Sequence, residues 1–251
     1  MIISIINQKG GVAKTTSTFN IAGNLANEGY NVLQLDIDPQ GSLTIANGIE
    51  PGDLKKSIYN VLCENLDIRK IIYKISDNLS LAVSNLDLSV AEISLVNMMA
   101  RETVLKKSLK EIKDDFDYIL IDCPPNLGLL TINALCASDK VIIPVSTDYL
   151  SLRGVDLLVD TVEKVKDNLN EDLEILGLVA TMYDSRTRHS NEILEVFKEN
   201  HNLLGTISES VRIKDSILAS MPIGQFDPTH KTAEEYKNIT NKIIKMTRNI
   251  D

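Results

Sequence analysis

Ile2-Ile3-Ser4-Ile5-Ile6-Asn7-Gln8-Lys9-Gly10-Gly11-Val12-Ala13-Lys14-Thr15-Thr16 is the stretch that decides the fold. Its first five residues, four of them isoleucine, predict a buried strand over Ile2–Ile6. Gly10 and Gly11 then let the backbone turn tightly with its N–H groups pointing inward, a nest for anionic oxygens. A helix predicted over Thr15–Glu28 starts at once, and its unpaired first-turn amides and dipole add to the pull on an anion. Strand, glycine loop and helix in direct succession make a phosphate cradle. Lys14 is placed to reach the β- and γ-phosphates of a nucleotide, the Thr15 hydroxyl to ligate Mg²⁺, and Thr16 to bond the α-phosphate. The ordinary G-x-x-x-x-G-K-[ST] pattern is not matched, because Gln8 and Ala13 stand where its glycines belong. The form present is K-G-G-x-x-K-T-T, with a second lysine at Lys9.

Outward from this loop, short β-branched runs alternate with longer amphipathic ones. Further strands are predicted at Val32–Asp36, Leu79–Val83, Tyr118–Asp122, Val141–Val145, Ile175–Thr181 and Leu204–Ile207. Helices are predicted at Ala91–Lys113, Ser151–Asn168, Asn191–Glu199 and Thr232–Met246. Alternation of this kind predicts an α/β fold, doubly wound, with a mostly parallel sheet and helices on both faces. No repeat or linker composition interrupts the pattern, so a single domain over 1–251 is expected. Ligands in such sheets sit beyond the carboxyl ends of the strands.

Two of those ends carry acids. Asp36 and Asp38 lie two residues apart at the exit of the second strand, where Asp38 would face the γ-phosphate and orient or deprotonate the attacking water. The simpler role for either is to cap the turn at Pro39. Tyr118-Ile119-Leu120-Ile121-Asp122 reads as a Walker B strand delivering Asp122 to the sheet edge, where it can hold Mg²⁺ through water. The Pro124-Pro125 pair and Gly128 that follow suggest a loop able to sense a γ-phosphate.

The chain of 251 residues carries 26 basic and 35 acidic side chains, a net charge of −9. That balance argues against a protein coated in basic surface for nucleic acid, though not against a local basic patch. Cys63, Cys123 and Cys136 show neither a close pair nor metal-ligand spacing, which fits a reduced cytoplasmic setting. The first residues resemble neither a secretion signal nor a membrane span.

The combination KGGVAKTT, LDIDPQG and ILIDCPP resembles the ParA/MinD group of deviant Walker ATPases. Thr181–Thr187, Val211-Arg212, Phe226-Asp227-Pro228 and Ala233–Tyr236 resemble landmarks of its ParA/Soj branch in the same order, so the likeness covers essentially the whole chain. It is similar to the short form that lacks an N-terminal helix-turn-helix. The resemblance implies an ATP- and Mg²⁺-dependent ATPase that forms a homodimer with ATP, with Lys9 of each subunit reaching the other's phosphates. It also implies non-specific DNA binding by the dimer, a ParB-like centromere-binding activator, and a cytoplasmic, nucleoid-associated location without membrane attachment. Residue by residue, it assigns Lys9, Lys14 and Asp38 to catalysis, and Lys9, Gly10, Gly11, Val12, Ala13, Lys14, Thr15, Thr16 and Met182 to the nucleotide. Thr15 and Asp122 take the metal, and Arg186 and Arg212 the DNA. Ser208-Glu209-Ser210 stand where relatives often have Pro-Arg-Asn. A MinD-like membrane positioner is the alternative. It would need its C-terminal helix to lie in a bilayer surface, yet Ile239, Ile243 and Met246 look like a core face.

Overall fold

The computed structural model describes residues 1–248, the side chain of Leu150 excepted. Its strands are β1 (Ile2–Ile5), β2 (Val32–Asp36), β3 (Ile72–Ser76), β4 (Leu79–Ala82), β5 (Tyr118–Asp122), β6 (Lys140–Ser146), β7 (Glu174–Tyr183) and β8 (Leu203–Ser208). Between them run α1 (Lys14–Asn27), α2 (Ser42–Ala46), α3 (Ile58–Glu64), α4 (Ala91–Val96), α5 (Val104–Leu109) and α6 (Leu129–Ala137). The later helices are α7 (Tyr149–Asn168), α8 (Arg188–Asn200), α9 (Val211–Leu218), α10 (Ile223–Phe226) and α11 (Lys231–Arg248).

The eight strands form one sheet in the order β3-β4-β2-β5-β1-β6-β7-β8. Every pairing is parallel except the β3–β4 hairpin at one edge. Strict alternation in the apolar strands supplies both faces. Ile3, Ile5, Tyr118 and Leu120 meet Ile21 and Leu25 of α1 and Tyr236, Ile239 and Ile243 of α11. Ile119, Ile121, Val141 and Ile143 pack on the opposite face with Leu105, Leu109, Leu130, Leu158, Val162 and Phe197 from α5 to α8. Each such side chain taken from water contributes about 1.5–3 kcal/mol before the entropy of ordering it. The double cover explains why these strands read as continuous apolar runs. α1 also lies close to the segment before α10: a Cβ on Gly23 would collide with the Pro222 ring.

The long helix expected over Ala91–Lys113 is two short ones. α4 ends at Val96, Ala100 takes a left-handed φ of 53°, and α5 starts at Val104. Asn133 holds this break by donating from Nδ2 to Arg101 O (2.8 Å) and accepting at Oδ1 from Leu105 N (3.1 Å). β3, α2, α3, α6, α9 and α10 are elements beyond those expected. β1 and β5 sit side by side at the middle of the sheet, so the loops after them open into the crevice where ligands of such sheets bind.

Candidate active site

The loop after β1 is held from three sides. Asn7 Nδ2 donates to Pro144 O (2.7 Å), Lys9 N donates to Asn7 Oδ1 (2.9 Å), and the Thr181 hydroxyl donates to Val12 O (3.2 Å). Gly11 takes φ 74° and Ala13 φ 62°, so the residue in front of α1 carries a Cβ in a left-handed conformation. Such a residue costs about 1–2 kcal/mol relative to glycine. No side chain caps α1, which leaves its first amides to an anion. A cavity of about 400 Å³ opens there, lined by Gly10, Gly11, Ala13, Lys14, Thr15, Thr16, Asp38 and Met182. Phe19, Ser42, Ala46, Pro125 and Ile217 complete its wall.

Lys14 is only 7% exposed and its ammonium donates to Lys9 O at 3.2 Å. Burial lowers its pKa, an effect that Asp122 opposes. Beneath it, Asp36 and Asp122 are register partners on adjacent strands and both are fully buried. Burial raises both carboxyls, Asp36 to about 7 against its hydrogen bonds from Thr44 and Asp38, and Asp122 well above its ordinary value, with the neighbouring Asp36 adding to the effect of burial. The Thr15 hydroxyl donates to Asp122 Oδ2 at 2.6 Å. The Thr15 hydroxyl and the Asp122 carboxyl together are a hard oxygen donor set suited to Mg²⁺. Asp38 does not continue the alternation of β2, which ends at Asp36. It lines the cavity, while its Oδ1 accepts from Gln40 N (2.9 Å) and closes the turn at Pro39.

Lys9 points elsewhere. Its ammonium donates to Asp148 Oδ2 (2.7 Å) and Ser146 Oγ (3.3 Å) at the start of α7. Asp148 also caps that helix by accepting from Ser151 N (3.1 Å). Burial raises its carboxyl, but the bonds from Lys9 and Ser146 outweigh this and hold it at about 2. Of the other expected residues, Val12 is buried behind the loop and Met182 takes a left-handed φ of 53° at the cavity wall. Arg186 lines a second groove of about 610 Å³ with Ser208, Glu209, Ser210 and Lys214. Its guanidinium is closed by both oxygens of Asp184 (2.9 and 2.8 Å). Arg212 donates twice to Asp227 Oδ2 (3.1 and 3.0 Å) and stacks over Phe226.

Asp148 and Ser146 were missed in the sequence, although Asp148 directly before an amphipathic run is a helix-start signal. Thr44 and Ser84, which bond around Asp36 and Asp38, gave no signal, because a threonine and a serine in loops are ordinary.

Among known proteins, a family model described as an AAA domain matches residues 1–175. The chain is 42% identical to the sporulation initiation inhibitor protein Soj of Bacillus subtilis, over 96% of this chain and 97% of that one. A plasmid partition protein of Borrelia burgdorferi superposes with a TM-score of 0.80 at 32% identity, covering 98% of each chain. A cobyrinic acid a,c-diamide synthase of Mycobacterium smegmatis, solved with an ATP analogue and magnesium, superposes with a TM-score of 0.85 at 33% identity. That match covers 98% of this chain and 95% of the other.

Proposed function

We propose that this chain, which belongs to the ParA/Soj family of P-loop ATPases, binds ATP with Mg²⁺, dimerises on it and hydrolyses it slowly to partition DNA. The observation that carries this reading is the placement of Lys9. The phosphate cavity is furnished by Lys14 and the loop amides, whereas Lys9 stands outside its lining, half exposed, with its ammonium held by Asp148 and Ser146. A cation so placed can reach phosphates in a second subunit, as a finger residue given in trans.

The chain's own residues divide the work. Loop amides and Lys14 hold the triphosphate and offset the charge that develops on it. Asp38 orients the attacking water. Thr15 and Asp122 would hold Mg²⁺, which would supply positive charge to offset that of the triphosphate. Arg186 and Arg212 take duplex phosphates in the ATP dimer, within one domain spanning 1–251. A centromere-binding partner accelerates hydrolysis on the nucleoid. The membrane alternative draws less support, because Ile239 and Ile243 of α11 are buried in the core together with Tyr236; Met246, expected on the same face, is instead exposed one turn beyond. Among the described residues no helix is long and apolar enough to cross a membrane.

The test is duplex-DNA binding by wild type, Arg212→Ala and Lys9→Ala with ATP, ADP or no nucleotide, across a salt series. Binding with ATP alone, steeply salt-dependent and lost in both variants while nucleotide is still bound, supports the reading. Absence of binding at low salt refutes the DNA role. ATP turnover that appears only with a small-molecule carboxylate and ammonia would point to amide synthesis, as the Mycobacterium smegmatis enzyme's name describes.

A further inference from the structure

Around the proposed catalytic carboxylate the hydrogen bonds close on themselves. Asp38 N donates to Asp36 Oδ1 (3.1 Å), and Asp38 O accepts from the Ser84 hydroxyl (2.8 Å). Ser84 N donates to Thr44 Oγ1 (3.0 Å). Thr44 then returns to Asp36 Oδ2 twice, from its amide (2.8 Å) and its hydroxyl (2.9 Å). Asp36, Thr44 and Ser84 are fully buried and Asp38 is 8% exposed. The Asp38 amide is therefore fixed by Asp36 at the end of β2, and its carbonyl by Ser84 at the exit of β4 and by Gly41 N (2.9 Å), while Thr44 in the first turn of α2 bonds both Asp36 and Ser84.

We propose that this ring of Asp36, Thr44 and Ser84 is a positioning device that holds Asp38 at the angle needed to orient the attacking water, with Thr44 its central member. The inference rests on the hydrolysis reading above. Three features favour positioning over mere packing. The ring engages Asp38 through its peptide groups and leaves the carboxylate to the cavity and the Gln40 turn. Thr44 Oγ1 both donates and accepts within the ring, so only another hydroxyl can replace it without a broken bond. The turn it braces is itself unusual, since Gly41 has φ 62° and a Cβ there would lie 2.9 Å from Pro51 Cγ. A low-dielectric ring of this kind is stiff when complete and costly when one member is removed.

The experiment is steady-state ATP hydrolysis by wild type, Thr44→Val, Thr44→Ser and Ser84→Ala, with Asp38→Ala as reference. Thr44→Val keeps the shape and removes the hydroxyl; a displacement of about 1 Å at Asp38 should lower kcat by about 30–100-fold with KM for ATP within about twofold. Thr44→Ser restores the hydroxyl and should recover kcat to within about threefold of wild type, and Ser84→Ala should lose about 5–10-fold. A Thr44→Val rate within threefold of wild type, while Asp38→Ala is inactive, overturns the proposal. So does a parallel rise in KM that accounts for the whole loss. Should Thr44→Val fail to fold by circular dichroism, Ser84→Ala decides alone, and an unchanged kcat there is equally fatal. If Asp38→Ala retains the wild-type rate, the hydrolysis reading itself falls and the ring's role falls with it.

Discussion

Replacing Asp148 by asparagine should tighten ATP-driven self-association by about 5–30-fold. The magnitude follows from the contact it breaks. Lys9 and Asp148 meet at 2.7 Å, but their side chains are 43% and 40% exposed. Solvent screening limits such a pair to about 0.5–1 kcal/mol. Each subunit of the proposed dimer must withdraw its Lys9 from this contact before offering it to the partner's phosphates. Two subunits therefore give about 1–2 kcal/mol, which is the stated range in Kd. Asparagine is chosen because it is as good a helix cap as aspartate, so the bond to Ser151 N survives. Sedimentation with a non-hydrolysable ATP analogue in about 0.1 M salt gives the dimer Kd. The gain should shrink at about 1 M, where screening has already weakened the pair. The pH dependence is also set. The Asp148 carboxyl is held at about 2, so its contribution is present above its ordinary range and is lost only as pH falls towards 2. The mutant's advantage should accordingly be flat from pH 5 to 9. An equal or weaker dimer, with urea stability unchanged, would show that Lys9 does not leave Asp148 on assembly, and the trans role would lose its main support.

Ala13→Gly removes a Cβ from a left-handed residue, φ 62°. After the entropy glycine adds to the unfolded chain, a net stabilisation of about 0.5–1 kcal/mol remains, read as a higher urea midpoint at unchanged m. Asp227→Asn removes one of the two carboxylates around Arg212, leaving Asp215 at 3.6 Å, and should strengthen ATP-dependent binding to arbitrary duplex DNA by roughly twofold at low salt, measured by anisotropy. Folding stability without ligand should fall as pH rises from 6 to 8. Asp36, raised by burial to about 7, holds a proton in the folded chain that the unfolded chain gives up near 4. That contribution is complete below the unfolded value and is lost through about 7. A thermal midpoint lower by at least about 2–4 °C at pH 8 than at pH 6 is expected from scanning calorimetry.

The parts that were legible in the sequence share a physical cause. Ile2–Ile5, Val32–Asp36 and Tyr118–Asp122 are sandwiched between two helical layers, so nearly every position had to be apolar and the period could not be mistaken. The phosphate loop was legible because backbone geometry and charge constrain it together. Elements decided by tertiary contact were not. β3 is an edge strand with a half-wet pattern, Ile72-Tyr73-Lys74-Ile75-Ser76, that alternation does not separate from a loop. The break between α4 and α5 depends on Asn133, nearly thirty residues away, bonding Leu105 N and Arg101 O. Asp36 shows the same limit within the site. In an extended segment, a spacing of two residues would put both side chains on one side. The strand stops at Asp36, however, and the two acids diverge, one under α2 and one into the cavity.

The acidity of the chain and its proposed work on DNA are reconciled by where its arginines sit. Arg186 is closed by Asp184, Arg188 by Glu192, Arg212 by Asp227, and Lys231 by Glu235. A duplex phosphate arriving at any of them would compete with a carboxylate already paired to the cation. Each contact then yields only the difference between two similar partners, so a single subunit has little to hold it on DNA. Two subunits joined by ATP add their small differences on one duplex, where the second engagement is effectively intramolecular and its local concentration high. Binding built this way is weak in the monomer and appreciable in the dimer without any new contact being formed. A strongly basic surface would lack that contrast, because each subunit would stay bound after hydrolysis had separated the pair. If the chain works on DNA as proposed, local neutralisation of the arginines would let a nucleotide switch that association on and off, and a net charge of −9 would be its natural accompaniment.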